Sequence, residues 1–371
     1  MDKKRKKGTF RALAICLLSV AMLMPGGCGK PKDDKIKVYV ITKDDQVSFW
    51  KDVKRGAEDA CDELDIDITY KAATGDNDYA TQIEAINDAI DEKVDAIIIA
   101  PNGNAELDDA FKRAEAAGIQ ILNINSRTDY KGVVSCISSS DKDAGAVAAR
   151  YASNALLNDS RTIEELEEFK KDPEKAMADS KASIVIIPHT AATATNRVAS
   201  FKEESMKRIE AVLHDKGMAF EDMGNGLHSD DDDTNDNFFA ESQPCANIES
   251  AYEAAEKLLG EDGNKVKVVF TTNTNTTIGV ANYIAEKGLG DQIYMVGFNA
   301  DKDEIKHLRT KVIDGLVVQN PYNMGYVSVN YARKIMDGEK VGQMLDTGVT
   351  FVTADNMNDE YIQTLLPKDE D

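Results

Sequence analysis

Apolar positions recur in two alternating rhythms along most of this chain. Ile36–Ile41 is a short aliphatic run. After the polar loop Thr42–Ser48, Val53, Ala57, Ala60, Cys61 and Leu64 fall on one face at helical spacing. Ile66, Ile68 and Tyr70 alternate as a strand, Ile83, Ile86 and Ile90 mark a second helix, and Val94–Ala100 is an aliphatic strand ended by Pro101-Asn102-Gly103. Such a run is the mark of a strand covered on both faces. A helix is predicted over Ala105–Ala117, and strands over Ile119–Ile124 and Val133–Ser138. The rhythm resumes after Asp141. Helices are predicted at Ala144–Leu157, Asn196–His214, Ile248–Leu259 and Ile278–Lys287, with strands at Ser183–Pro188, Val266–Thr272, Ile293–Phe298 and Gly315–Val318. Ile305–Leu308 lies on a helix, and Met324 to Ile335 repeats at helical spacing. Val349–Val352 is a last strand and Tyr361–Leu366 a short helix.

Strands alternating with helices of about a dozen residues mean parallel sheets built from right-handed crossovers. The units outnumber what one open sheet holds comfortably, so the pattern divides into two lobes. The fold class is therefore α/β, with two Rossmann-like lobes. The lobes are expected to take residues 36–140 with 320–348, and 141–319 with 349–371. They are joined by three crossovers near Ser138–Asp141, Val318–Pro321 and Thr347–Thr350. The first 35 residues stand apart. Six basic residues lie within Met1–Arg11, a 13-residue apolar run spans Ala12–Met24, and Pro25-Gly26-Gly27-Cys28 follows. Thirteen residues are too few to span a bilayer and fit a secretory signal core. Residues 1–27 are read as a removable signal and 28–35 as a tether.

Charge narrows the partners. Against 44 Lys and Arg stand 66 Asp and Glu, a net −22; removing residues 1–27 takes six basic groups and one acidic group, leaving −27. Phosphate backbones and anionic lipid surfaces are repelled by such a chain, so nucleic acid is excluded as a partner. The 42% hydrophobic content is enough to build cores. Cys61, Cys136 and Cys245 show neither disulfide-framework nor metal-site spacing. Asn158–Lys181 is densely charged, and His228–Asn237 is an acidic tract.

Catalysis has little support. The four histidines, His189, His214, His228 and His307, sit in no metal-ligand spacing, and nucleophile-elbow, Walker A and Gly-x-Gly-x-x-Gly motifs are missing where they would be needed. No metal, cofactor or enzymatic activity is expected. Ligands of α/β sheets bind at the carboxyl edges of the strands, and here those edges are polar. Phe49 and Trp50 (the sole tryptophan) follow the first strand. Asn125-Ser126-Arg127 follows Ile119–Ile124, Asn273 follows Val268-Val269-Phe270, and Asn299 follows Gly297-Phe298. Gln319-Asn320-Pro321 ends Gly315–Val318, and Arg197 opens the helix after Ser183–Pro188. Each residue alone is an ordinary turn or cap. Together they place amides and a guanidinium, which match vicinal hydroxyls, beside an aromatic face that matches the C–H face of a sugar ring.

The chain resembles the type I periplasmic sugar-binding proteins, the ribose- and galactose-binding group of ABC-transporter solute receptors, from about Ile36 to Leu366. The resemblance rests on Ser48-Phe49-Trp50-Lys51 with Arg55-Gly56-Ala57-Glu58, Ala96-Ile97-Ile98-Ile99-Ala100-Pro101, Ile124-Asn125-Ser126, Val296-Gly297-Phe298-Asn299 and Val318-Gln319-Asn320-Pro321-Tyr322-Asn323-Met324-Gly325. It implies a periplasmic binding protein-like I fold. It also implies a monosaccharide or related polyol as ligand and an ABC permease as partner, with no covalent step. Phe49 would stack on the ring with Trp50 beside it. Asn125, Ser126, Arg197, Asn273, Asn299 and Gln319 would meet hydroxyls, with Asp45, Arg127 and His189 as secondary candidates. The family usually carries aspartate where Asn299 stands; with Arg197 kept and Arg127 nearby, that opens the site to an anionic sugar. Some members hold calcium in an aspartate-rich loop, but Asp230–Asn237 lacks the turn-forming glycine and reads as a solvated insertion. Gly27-Cys28 resembles a lipoprotein processing site, which implies an exported monomer held by a lipid on Cys28 at the outer face of a bacterial cytoplasmic membrane. A sensor of the same fold feeding a membrane kinase or chemoreceptor is the alternative.

Overall fold

The computed structural model describes residues 35–158, 184–215, 239–260 and 266–367. The signal segment, Cys28, the charged stretch over 159–181 and the acidic tract over 228–237 lie outside the described residues.

Two six-stranded sheets organise the fold. The first contains β1 (Lys37–Thr42), β2 (Asp67–Ala72), β3 (Ala96–Ile99), β4 (Gln120–Ile124), β5 (Val133–Ser138) and β11 (Met344–Asp346), in the order β11-β5-β4-β3-β1-β2. The second contains β6 (Ile184–Ile187), β7 (Phe239–Glu241), β8 (Val268–Thr271), β9 (Tyr294–Phe298), β10 (Gly315–Gln319) and β12 (Val349–Val352), in the order β12-β10-β9-β8-β6-β7. The chain passes between sheets after β5, after β10 and after β11, the three crossings expected. One pairing departs from the all-parallel expectation. β12 runs antiparallel to β10, with Leu316 opposite Val352 and Gln319 opposite Val349. Strands β7 and β11 have no counterpart in the apolar pattern. Each is only three residues long, and β11 is largely exposed, so no alternation marks either.

Both faces of each sheet are covered. In the first, Val38, Val40, Ile98, Leu122 and Ile124 face helices α1 (Ser48–Leu64) and α9 (Pro321–Met336). Tyr39, Ile41, Ile97, Ile99 and Ile121 face α2 (Tyr79–Asp91) and α3 (Asp108–Ala116) on the other side. Period-two alternation with both faces apolar explains why β3 reads as an unbroken aliphatic run. The second sheet is layered in the same way. Helices α4 (Asp141–Asn158) and α5 (Ala192–Asp215) cover one side; α6 (Ile248–Leu259), α7 (Thr274–Lys287) and α8 (Lys302–Arg309) cover the other, with the short α10 (Glu360–Gln363) closing that layer.

Helix pairs in both lobes approach closely, and glycine is the reason. A Cβ on Gly56 would stand 2.0 Å from the Tyr322 carbonyl oxygen, and one on Gly325 2.0 Å from that of Val53, so α1 and α9 meet backbone to backbone. In the second lobe a Cβ on Gly145 would stand 2.3 Å from the Arg197 carbonyl oxygen, which brings α4 against α5.

Candidate functional site

The carboxyl ends of both sheets converge on one small recess. Ser48, Phe49 and Asp52 of α1 line it from the first lobe. Thr274, Asn299, Ala300, Val318, Gln319, Pro321 and Leu365 complete the lining. Of the residues singled out in the sequence, Phe49, Asn299 and Gln319 are thus brought together on one surface.

Phe49 is held there from its backbone outward. Asp44 Oδ1 accepts from the backbone N–H of Gln46 at 2.5 Å and of Val47 at 3.2 Å, so the loop after β1 closes into a carboxylate-capped turn that launches α1. Phe49 and Trp50 then meet edge to face, with centroids 4.8 Å apart. Both belong to the core under α1, and Phe49 alone of the two lines the recess. Asp45 sits in the same turn, exposed, its Oδ1 accepting from Gln46 Nε2 at 2.6 Å.

The remaining amides sit at strand ends and helix starts of both lobes. Asn299 follows β9 at φ 78°, a left-handed conformation that asparagine tolerates. Its Nδ2 donates to Thr274 Oγ1 at 3.2 Å, while its Oδ1 is buried without a partner. Asn125 ends β4 in the same way, at φ 58°, with Ser126 Oγ donating to its Oδ1 at 3.4 Å. Gln319 ends β10 and is 3% exposed. Asn273 caps α7: its Oδ1 accepts from the backbone N–H of Thr276 at 3.0 Å, and Nδ2 alone remains for anything else. Asn320 caps α9 by accepting from the Asn323 N–H at 2.9 Å.

Arg197 is 4% exposed. Its Nε donates to Asp141 Oδ1 at 2.9 Å and its Nη1 to the Thr272 carbonyl at 2.7 Å. The guanidinium carbon lies 3.9 Å above the centre of the Phe298 ring. Burial pushes the Asp141 carboxyl up, against the pull of the Arg197 charge. His189 has both ring nitrogens engaged. Nδ1 accepts from the Ala191 N–H at 3.1 Å, so Nε2 carries the proton and donates to the Ala246 carbonyl at 3.2 Å. Burial lowers its pKa and favours the neutral ring. Arg127 lies apart from the recess lining. It is exposed, and its Nη1 points at Met344 Sδ, 3.7 Å away.

Several contributors escaped the sequence reading. Lys43 pairs with Asp76 at 3.1 Å. The Lys43 charge acts on both Asp141 and His189, and Asp76 acts on His189, so the loops after β1 and β2 face the second lobe. Asp141 was legible only as the last residue of a crossover. Thr274 and Leu365 had no signal, since a helix-start threonine and a C-terminal leucine are common. Ser48 adjoins Phe49, and its neighbour was the cue.

A model of the family described as periplasmic binding protein domain matches residues 38–340. The ribose import binding protein of Bacillus subtilis is 21% identical over 356 residues, covering 94% of this chain and 99% of that protein. The D-allose-binding periplasmic protein of Escherichia coli is 22% identical over 328 residues, covering 86% of this chain and 90% of that protein. Among solved structures, an ABC transporter solute-binding protein from Agrobacterium vitis bound with alpha-D-tagatopyranose superposes with a TM-score of 0.71 at 20% identity, covering 90% of this chain and 100% of the other. With the two-sheet architecture and the recess between them, the family match over most of the chain means that this protein belongs to the periplasmic binding proteins of type I, a family of binding proteins rather than enzymes.

Proposed function

We propose that this chain is the extracytoplasmic solute-binding subunit of an ABC importer, and that it holds a monosaccharide in the recess between its lobes. The observation that carries the reading is the composition of that recess: an aromatic ring from one lobe faces two amides from the strand ends of the other. Phe49 offers its face to the apolar side of a pyranose or furanose ring. Asn299 Oδ1, unpartnered and fixed by Thr274, accepts from a hydroxyl. Gln319 both donates and accepts. Arg197, Asn273, Asn125 and Ser126 lie outside that lining, at neighbouring strand ends and helix starts, and are further hydroxyl partners in this reading. The Arg197 charge is already met by Asp141, and Arg127 faces outward. Both facts favour a neutral sugar over the anionic one that the asparagine at 299 had opened.

Residues 36–140 with 320–348, and 141–319 with 349–371, act as rigid halves that close about the three crossovers, and the closed form is what the permease meets. The anchor is a lipid on Cys28, supported by the basic start, the short apolar run and Gly27 before the cysteine. Among the described residues no helix is long and apolar enough to cross a membrane.

The test is thermal unfolding of purified protein against a panel of aldoses, ketoses, cyclitols and uronates. A ligand at a hundred times its Kd raises stability by about 2.7 kcal/mol if it binds only the native state. A neutral monosaccharide should shift the midpoint by several degrees. No shift from any member of the panel would overturn the proposal. For the anchor, Cys28→Ala should release the protein from the membrane fraction.

A further inference from the structure

Ser48 opens α1 in the first lobe, one residue before Phe49, and Asp301 is the N-cap of α8 in the second. Ser48 Oγ donates to Asp301 Oδ2 at 2.8 Å, across 253 positions of sequence. The Ser48 hydroxyl is not needed there by its own helix. The cap position of α1 is Val47, and the turn before it is closed by Asp44, so the Ser48 hydroxyl has no local duty. Asp301 divides its carboxylate: Oδ1 accepts from the Asp303 N–H at 3.3 Å, which leaves Oδ2 to reach outward. The Asp301 backbone is fixed in turn, its N–H donating to Glu304 Oε2 at 2.6 Å. There is also an electrostatic reason for the contact. The first turn of α1 carries no acidic residue of its own, and a helix N-terminus attracts negative charge. Asp301 adds, from the opposite lobe, to the charge that Asp44 already places there, and it also caps α8. The bond lies at the recess, where Ser48, Phe49 and Ala300 share one lining with Val318, Gln319 and Pro321 of the second crossover.

We propose that Ser48 and Asp301 are positioning residues that latch the closed lobes together and so set how long a bound ligand is retained, without requiring that either residue touch the ligand. This rests on the reading of the protein as a closing sugar-binding subunit. The bond joins residues of different lobes, so it adds to the stability of the arrangement in which the lobes meet and to nothing within either lobe alone. A charge-assisted hydrogen bond of this kind is expected to hold back opening by about five- to thirtyfold.

The experiment uses the full chain and the sugar that gives the largest thermal shift. Ser48→Ala should speed sugar dissociation about five- to thirtyfold, change association by less than about threefold, and leave the unfolding midpoint of the ligand-free protein unchanged. Ser48→Thr, which keeps the hydroxyl, should restore slow dissociation. Asp301→Asn, which keeps the cap, should speed dissociation, and combining it with Ser48→Ala should add little. A second readout needs no ligand: small-angle scattering of Ser48→Ala should show a larger radius of gyration than the parent. If no sugar binds the parent, the functional reading has failed and scattering alone judges the latch. Unchanged dissociation and unchanged scattering would overturn it. A drop in ligand-free stability equal to the loss of affinity would also overturn it, as a fold contact only.

Discussion

Arg197 Nε and Asp141 Oδ1 meet at 2.9 Å in a nearly closed interior, and Asp141 is the first residue of α4 after the chain leaves the first sheet. The preceding residues are knitted to the third crossing. Ser140 N–H donates to Asp346 Oδ1 at 3.0 Å, the Thr347 N–H to the Ser138 carbonyl at 3.0 Å, and Ser139 Oγ to the Gly348 carbonyl at 2.7 Å. Two of the three crossings are therefore one hydrogen-bonded strap, and the candidate ligand-binding guanidinium hangs from its end.

Removing the carboxylate from that pair leaves a buried guanidinium uncompensated. Asp141→Ala is expected to lower unfolding free energy by about 3–5 kcal/mol, measured by urea denaturation of the ligand-free protein. Sugar affinity should fall as well, because Arg197 loses the contact that orients it. A stability change under about 1 kcal/mol would show that the pair contributes no more than a surface ion pair does.

Asn299 should behave in the opposite sense. Its Oδ1 is buried without a partner and its φ is 78°, so Asn299→Gly removes an unsatisfied acceptor and a strained conformation together. Stability should stay within about 1 kcal/mol of the parent while sugar affinity falls at least about tenfold. Calorimetric titration beside thermal unfolding separates the two effects. A large loss of stability with unchanged affinity would remove Asn299 from the site.

Glu304 governs a pH dependence. It is 0% exposed with Oε1 unpartnered, and burial pushes its carboxyl up to about 8, with Asp301 adding to the rise and backbone and threonine contacts opposing it. Between the unfolded value near 4.5 and 8 the folded chain binds more protons than the unfolded one. This group's contribution to stability is then fully present below about pH 4.5 and is lost as pH rises through 8. Glu304→Gln should flatten that decline in a series of melts from pH 5 to 9. A variant whose slope matches the parent's would mean that the carboxyl ionises freely in the fold.

The helix pair α1 and α9 offers a purely steric test. Gly56→Ala places a Cβ 2.0 Å from the Tyr322 carbonyl oxygen, a backbone atom that cannot rotate away. Destabilisation of at least about 1–3 kcal/mol is expected, with disturbance reaching Pro321 and Gln319 at the start of α9. Chemical denaturation of Gly56→Ala beside Gly118→Ala, a glycine with open space around it but φ +83°, separates steric from conformational cost.

The alternation of apolar runs with helical stripes was sufficient to read two covered sheets, because burial on both faces forces continuous aliphatic strands such as Ala96–Ile99. The polar strand ends were legible for a related reason. Asn125, Asn299 and Gln319 interrupt apolar runs where a sheet meets its crevice, and a polar residue at such a boundary stands out against its neighbours. What each of those side chains does was not legible. Asn273 and Asn299 are the same residue type at equivalent strand ends. One spends its carbonyl oxygen on a helix cap and the other leaves it bare, and only the geometry of α7 decides between them. Partnership across the lobes lay further out of reach. Ser48 with Asp301, and Lys43 with Asp141, are brought near by the packing of two sheets whose strands are far apart in sequence. Local periodicity reports what a residue's own helix or strand buries. It carries no information about which distant carboxylate will face a given hydroxyl, and that relation exists only once both lobes are folded against each other.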